Sequence, residues 1–144
     1  MDYIDRKIMD ILQDDGRITM KELGQRVGLT SPATIERVKK LEEGGIIDGY
    51  KAIINMKFAG LPIRVFILIA SVNSSVEDIT KFSREHRNIV SCHRVSGGVS
   101  HLLEAVLPDM QGLEKLLDEL VPLGQAEPLV VLSSPVEQKA VLLP

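Results

Sequence analysis

Apolar residues in the first 60 positions recur every three or four residues, which is the period of an amphipathic helix. Three sets have this spacing: Ile4, Ile8, Ile11 and Leu12; Met20, Leu23 and Val27; and Ile35, Val38 and Leu41. The pattern predicts three short helices that bury these residues against one another.

Local signals predict where these helices begin and end. Residues 14–16 form an Asp-Asp-Gly stop, and Thr19 with Glu22 has the spacing of a capping box. Gly28 provides the left-handed turn after the second helix. Residues 31–32, Ser-Pro, open the third helix, because proline at the first helical position loses no hydrogen bond. Helix, tight turn and helix are the outline of a DNA-binding element.

After residue 60 the period changes and strands alternate with helices. Apolar runs at 63–72, 88–96, 101–107 and 128–134 are predicted strands, and Ser75 and Asp109 are the expected helix caps. The order strand-helix-strand occurs twice, which indicates a duplicated split βαβ unit with both helices on one face of a four-stranded antiparallel sheet. The predicted divisions are 1–50, an extended strand and linker at 51–62, the sheet domain at 63–135, and a tail at 136–144.

The first, third and fourth predicted strands are nearly continuously apolar. A strand covered on one face only should alternate apolar and polar residues. We therefore expect the second face of the sheet to be covered, most simply by a second copy of the chain. The alternative, that residues 135–144 fold back over the sheet, stays open.

Charge is distributed unevenly. The chain of 144 residues has a formal net charge of -3, but residues 17–40 contain six Lys or Arg and two Glu. Binding to phosphates depends on local charge and not on the net charge of the chain. A net acidic chain can therefore bind double-stranded DNA through this segment.

Positions opposite the inward face of the third helix are candidates for DNA contact. We expect Thr34 and Arg37 to approach bases, and basic or hydroxyl side chains nearby to contact phosphates. The full predicted DNA-binding set is Arg17, Lys21, Ser31, Pro32, Ala33, Thr34, Arg37 and Lys40. The alternatives are a solvated basic face of a small helical bundle, or a sensor or assembly protein whose bundle binds protein.

Composition argues against several other classes. The longest apolar run, at 65–70, is far shorter than the about 20 residues that span a bilayer. The single cysteine, Cys92, forms no internal disulfide and suits a reducing cytoplasm. The three histidines lack metal-ligand spacing, and we find no nucleophile-base arrangement. We therefore expect no enzyme activity, no metal and no membrane association.

Several motifs together resemble the Lrp/AsnC (feast/famine) family of transcriptional regulators. They are Asp5, Gly16-Arg17, Leu23-Gly24, Val27-Gly28-Leu29-Thr30-Ser31, Arg37-Val38, Leu41-Glu42, Gly45-Ile46-Ile47 and Gly49-Tyr50. The resemblance implies an α+β chain with an N-terminal winged helix-turn-helix and a C-terminal ferredoxin-like βαββαβ domain for effector binding and oligomerisation. It also implies a homodimer paired through the sheets, a higher assembly such as an octamer, and DNA bound by several helix-turn-helix units.

The same resemblance implies a small-molecule site in the connection between the second and third strands. The family pattern TGxxDY corresponds here to residues 96–101, with the glycines kept at Gly97 and Gly98. The resemblance implies an amino acid or a similar small molecule as effector. Ser100 and His101 replace the acidic and aromatic residues, and loss of the acid that would pair with an ammonium group argues against amino-acid sensing or changes which ligand is sensed. The candidate effector-binding residues are Gly97, Gly98, Ser100 and His101, and no other cofactor is expected. A plain type I′ Gly-Gly turn is the alternative.

Overall fold

The computed structural model describes residues 1–70 and 75–144. Their helices and strands are α1 (Tyr3–Asp14), α2 (Met20–Val27), α3 (Ser31–Glu43), β1 (Ile63–Ala70), α4 (Val76–Glu85), β2 (Ile89–Arg94), β3 (His101–Leu107), α5 (Met110–Leu120) and β4 (Gln125–Val130). They divide into two compact units. Unit 1 contains Met1–Ile53 together with Val136–Pro144, and unit 2 contains Ile54–Pro135.

Unit 1 has the three predicted helices, with caps that differ in detail from the prediction. The Asp2 carboxylate accepts from Asp5 N, and the Asp5 carboxylate accepts from Asp2 N, both at 2.9 Å. This reciprocal capping box was not anticipated. Thr19 Oγ1 accepts from Glu22 N at 3.1 Å as expected. The Glu22 carboxylate, however, pairs with Arg26 at 2.6 Å, so only half of the predicted box is formed.

The first turn of α3 is rotated relative to the prediction. Thr34, Val38 and Leu41 are its buried residues, whereas Ile35 is 51% exposed. The expectation that Ile35 faces inward is therefore wrong. Thr34 can be buried because its hydroxyl donates to the Thr30 carbonyl at 2.9 Å, which satisfies the polar group within the helix.

Unit 1 also holds the end of the chain. Its core consists of Ile8, Met9, Ile18, Leu23, Val27, Val38 and Leu41, and Leu143 packs against it. Residues 136–144 therefore belong to the helical unit, and the alternative in which they cover the sheet is wrong. No strand forms at 44–62, a stretch described throughout, and residues 55–61 turn back through backbone hydrogen bonds.

Unit 2 has the predicted βαββαβ order and a four-stranded antiparallel sheet arranged β2-β3-β1-β4. One sheet face packs against α4 and α5. The buried residues there are Val65, Ile67, Ile69, Ile79, Leu103, Ala105, Leu107, Leu113, Leu116 and Leu120. Ser75 and Asp109 cap α4 and α5 as predicted, because each side chain accepts a backbone N–H three residues later. The fold class is therefore confirmed.

Three predicted strands have different limits in the structure. β2 spans Ile89–Arg94 and is shorter than the predicted 88–96. β4 begins three residues earlier than expected and ends at Val130, so Pro128 lies within it, opposite Ile67. Proline is tolerated because β4 is an edge strand, where the missing N–H can face away from the sheet. β1 ends at Ala70 among the described residues, and the predicted continuation to 71–72 lies outside them.

Close approach between α2 and α3 depends on Gly24. A Cβ at this position would lie 2.7 Å from the Leu29 carbonyl oxygen and 2.8 Å from Thr34 Oγ1. These are distances that real side chains do not adopt, so any larger residue must push the two helices apart.

We expect Gly24→Ala to lower the free energy of unfolding of unit 1 by about 1–3 kcal/mol, the usual cost of overpacking. Both tyrosines, Tyr3 and Tyr50, lie in unit 1 and the chain has no tryptophan. Tyrosine fluorescence during urea unfolding therefore reports on this unit. Gly98→Ala is the matched control, because a Cβ there meets nothing within 4 Å. Equal stability of the two variants would contradict the packing argument.

Candidate nucleic-acid interface

The outer face of α3 is formed by Pro32, Ile35, Glu36, Lys39 and Lys40, and Glu42 and Glu43 are also exposed near the end of the helix. Lys40 pairs with Glu36 at 3.2 Å, and Lys39 pairs with Glu43 at 3.6 Å. All four of these side chains are at least 65% exposed. Pairs of this kind contribute little to stability and exchange readily, so both lysines can turn to an external anion.

Thr34 does not belong to this face, whereas Ala33 lies at its border. Thr34 is completely buried, so the expectation that it approaches bases is wrong. Ala33 is half-buried and lines a cleft with Asp5 and Arg37, and Glu36 and Lys40 of the outer face line the same cleft. Ser31 is half-buried and Pro32 is exposed in the first turn of the helix.

Arg37 is engaged within the protein. Its Nη1 lies 2.7 Å from Asp2 Oδ2 and 2.8 Å from Asp5 Oδ1. The Asp5 backbone N–H and then Arg37 lower the pKa of Asp2. The two carboxylates in turn raise the pKa of Arg37. Arg37 therefore joins α3 to the capping box of α1, and the expected base contact would require this guanidinium to leave two partners.

Arg17 and Lys21 are the basic residues of segment 17–40 that have no ion-pair partner among residues 1–70 and 75–144. Both side chains are exposed, Arg17 just before α2 and Lys21 in its first turn. Arg26, by contrast, is paired with Glu22. Arg17 and Lys21 can therefore bind phosphate without losing an internal ion pair.

The connection between β2 and β3 is wider than the two-residue turn considered above. Val95 N donates to the Ser100 carbonyl at 3.1 Å, which leaves residues 96–99 as the loop. Of its two glycines only Gly97 has a positive φ, at 113°. A type I′ turn needs positive φ at both central positions, so that alternative is wrong.

Ser100 and His101 both point back into unit 2. The Ser100 hydroxyl donates to the Ile69 carbonyl at 3.0 Å and lies 2.9 Å from His101 Nδ1. The direction of the contact between Ser100 Oγ and His101 Nδ1 depends on the imidazole tautomer. His101 is 1% exposed, and its Nε2 has no hydrogen-bond partner among the described residues.

Burial, followed by the charge of Arg94, lowers the pKa of His101 and favours its neutral form. An imidazole held in this position cannot meet a ligand from solvent. The expectation that His101 contacts the effector is therefore wrong for this conformation. Gly97 and Gly98 are exposed and Ser100 is half-buried, so a ligand from solvent can reach these three residues.

The described residues contain neither a cluster of metal-ligating side chains nor a helix suited to a membrane. No three His, Cys, Asp or Glu side chains in 1–70 and 75–144 lie close enough to hold a metal ion. None of the helices in the same residues is long and apolar enough to cross a membrane.

Comparison with known families matches both units. Residues 1–48 match the winged helix-turn-helix DNA-binding model. Residues 64–141 match the Lrp/AsnC ligand binding domain. A DNA-binding helix-turn-helix joined to a ligand-binding sheet domain defines a transcriptional regulator.

Individual relatives are similar over nearly the whole chain. The uncharacterised HTH-type regulator YezC of Bacillus subtilis is 38% identical over 134 residues, 93% of this chain and 95% of that protein. The leucine-responsive regulatory protein of Escherichia coli K12 is 38% identical over 122 residues, 83% of this chain and 74% of that protein. The chain belongs to the Lrp/AsnC family, as its sequence motifs predicted.

Solved structures agree with this assignment. LrpC of B. subtilis superposes with a TM-score of 0.90 at 29% identity, covering 96% of this chain and 99% of LrpC. A transcriptional regulator of Neisseria meningitidis in complex with L-Met superposes with a TM-score of 0.91 at 29% identity, covering 100% and 96%. The protein is a sequence-specific DNA-binding transcriptional regulator.

We expect Arg37→Ala to lower the midpoint of thermal unfolding of unit 1, because it leaves Asp2 and Asp5 without their cation. The lowered pKa of Asp2 gives a pH test. Asp2 contributes to the stability of the folded state at pH values above its ordinary pKa of 3.8. This contribution is lost as the pH falls through the lower pKa that Asp2 has in the folded protein. The difference in the midpoint of thermal unfolding between wild type and Arg37→Ala should therefore become smaller at acidic pH.

Lys40→Ala is the control for this test, since Lys40 is 72% exposed in a weak helical pair. Tyrosine fluorescence again follows unit 1. Unchanged stability of Arg37→Ala, combined with weaker DNA binding, would show that Arg37 contacts DNA and is not a structural residue.

Proposed function

We propose that this regulator binds duplex DNA through the outer face of α3, with Arg17 and Lys21 on the flanking phosphates. The observation that carries the proposal is the exposure of this face opposite the buried Thr34, Val38 and Leu41. Recognition helices place their N-terminal residues on base edges in the major groove. Here those residues are Ser31 and Pro32, followed one turn later by Ile35 and Glu36.

The side chains on this face suit different parts of DNA. Ile35 is apolar and suits the methyl group of thymine, whereas the Glu36 carboxylate can accept from the amino group of cytosine. Lys39 and Lys40 can exchange their exposed carboxylate partners for phosphates. Arg37 supports the interface indirectly by holding α3 against α1.

We expect Lys21→Ala to weaken binding to specific and unrelated duplexes alike. The plot of log affinity against log salt should become shallower by about one unit, because one fewer counterion is released. Fluorescence anisotropy with labelled duplexes at several salt concentrations measures both effects. Lys115→Ala is the control, since Lys115 lies on α5 and is 81% exposed. A wild-type affinity independent of salt would overturn the proposed interface.

We also propose that an amino acid binds at the loop of residues 96–99 and modulates DNA binding. The support is the family of residues 64–141 and the similar N. meningitidis structure, which holds L-Met. Position 100 has no acid to pair with the ammonium group of the ligand, and the Ser100 hydroxyl already bonds Ile69. Recognition here therefore depends more on backbone groups exposed at Gly97 and Gly98.

We expect L-methionine or L-leucine to shift the thermal midpoint of the wild-type chain or its affinity for DNA. Gly97→Ala should abolish this shift, because alanine cannot easily adopt the φ of 113° at this position. Gly98→Ala, with open space around its Cβ, should retain the shift. The effector proposal fails if no amino acid in a panel of twenty changes either measurement.

We propose a homodimer formed through the sheet face opposite α4 and α5, where Phe66, Leu68, Leu102 and Leu129 are incompletely buried. Covering these apolar side chains is the driving force. A higher assembly such as an octamer, a cytoplasmic location and a role without catalysis complete the proposal.

A further inference from the structure

The C-terminal segment is held to α1 by a pair of reciprocal hydrogen bonds. Gln13 Nε2 donates to the Val141 carbonyl at 3.0 Å, and Val141 N donates to Gln13 Oε1 at 2.9 Å. The two residues are 128 positions apart in the sequence. A side-chain amide here pairs with a peptide group as two neighbouring strands would, which fixes both the position and the direction of the tail.

Of the two leucines that follow Val141, only one packs against the helical unit. Leu143 is half-buried and lies against the helical core, whereas Leu142 is 89% exposed. This alternation is typical of an extended peptide that presents every second side chain to a surface. Leu143 lines a groove together with Met9, Leu12, Ile46, Ile47 and Tyr50, defined here as the tail groove.

The wall of the tail groove is ordered by the end of α3. Backbone N–H groups of Ile46 and Ile47 both donate to the Leu41 carbonyl, at 2.9 and 3.1 Å. The Tyr50 hydroxyl donates to Glu42 Oε1 at 3.0 Å. Partial burial and then this carboxylate raise the pKa of Tyr50 to about 12. The groove therefore has hydrogen bonds of its own that do not involve the tail.

We propose that residues 140–144 are an intramolecular ligand of the helix-turn-helix unit, docked in the tail groove. The chain leaves unit 1 after Ile53 and returns to it at Val136, after the sheet domain. Docking therefore gives the DNA-binding unit a second connection to the sheet domain besides the linker. A weak contact suffices, because a tethered segment is present at a high effective concentration.

The second connection has a consequence for DNA binding, which rests on the function proposed above. A unit held at two points has fewer orientations available than a unit held by one linker. In a dimer, two helix-turn-helix units restrained in this way lose less orientational freedom when both engage one duplex. Docking of the tail should therefore increase the affinity for duplexes with two binding sites more than the affinity for duplexes with one.

Hydrogen exchange in the full-length protein tests the docking. The Val141 amide should exchange at least ten times more slowly in wild type than in Leu143→Asp or Gln13→Ala. Leu142→Asp and Gln25→Ala are matched controls, because both side chains are exposed, and they should retain wild-type protection. Exchange of the wild-type Val141 amide at the rate of an unstructured peptide would overturn the proposal. So would equal protection in Leu143→Asp and Leu142→Asp.

DNA binding tests the consequence separately. Leu143→Asp should lose several-fold more affinity for a duplex with two binding sites than for a duplex with one. Leu142→Asp should bind both duplexes with wild-type affinity. Equal losses on both duplexes would overturn the role of the second connection. If wild type binds no duplex, the proposed function fails, while the exchange measurement still decides whether the tail is docked.

Discussion

The close packing of α3 on α2 at Gly24 determines which residues this regulator can present to DNA. Because Gly24 has no side chain, the first turn of α3 can approach α2 closely enough to bury Thr34. Burial of Thr34 then fixes which of the later side chains of α3 face the core, because residues three and four apart share one face of a helix. Val38 and Leu41 lie below, and Ile35, Glu36 and Lys39 lie outside. The DNA-binding face is thus a product of a packing contact on the opposite side of the same helix.

The basic residues of unit 1 divide into two groups with different roles. Arg37 is held by two carboxylates of the α1 capping box and positions α3. Arg17 and Lys21 have no partner of this kind in the described part of the chain and face solvent. A chain with a net charge of -3 can bind DNA because its local charge decides: Asp2 and Asp5 are engaged in a helix cap and with Arg37, and Arg17 and Lys21 remain exposed to phosphates.

The sheet domain shows the same separation of structural and exposed groups. His101, at a position expected to meet a ligand, is buried among core residues and bonded to Ser100. The glycine loop is left as the accessible part of that motif. At the other end of the domain, the chain continues from β4 into a tail that packs on the helical unit. A motif match therefore located the loop correctly but did not identify which side chains are accessible.

Local patterns in the sequence determined the order of helices and strands, the caps at Thr19, Ser75 and Asp109, and the family. These features depend on residues close together in the chain, where periodicity and side-chain hydrogen bonds act directly. The rotation of α3, the partners of Arg37 and the position of Leu143 were decided only by the tertiary structure. Each depends on a contact with residues distant in sequence, such as Gly24, Asp2 or Gln13. A helix with apolar side chains on two adjacent faces can bury either one, and only the shape of its partner selects between them.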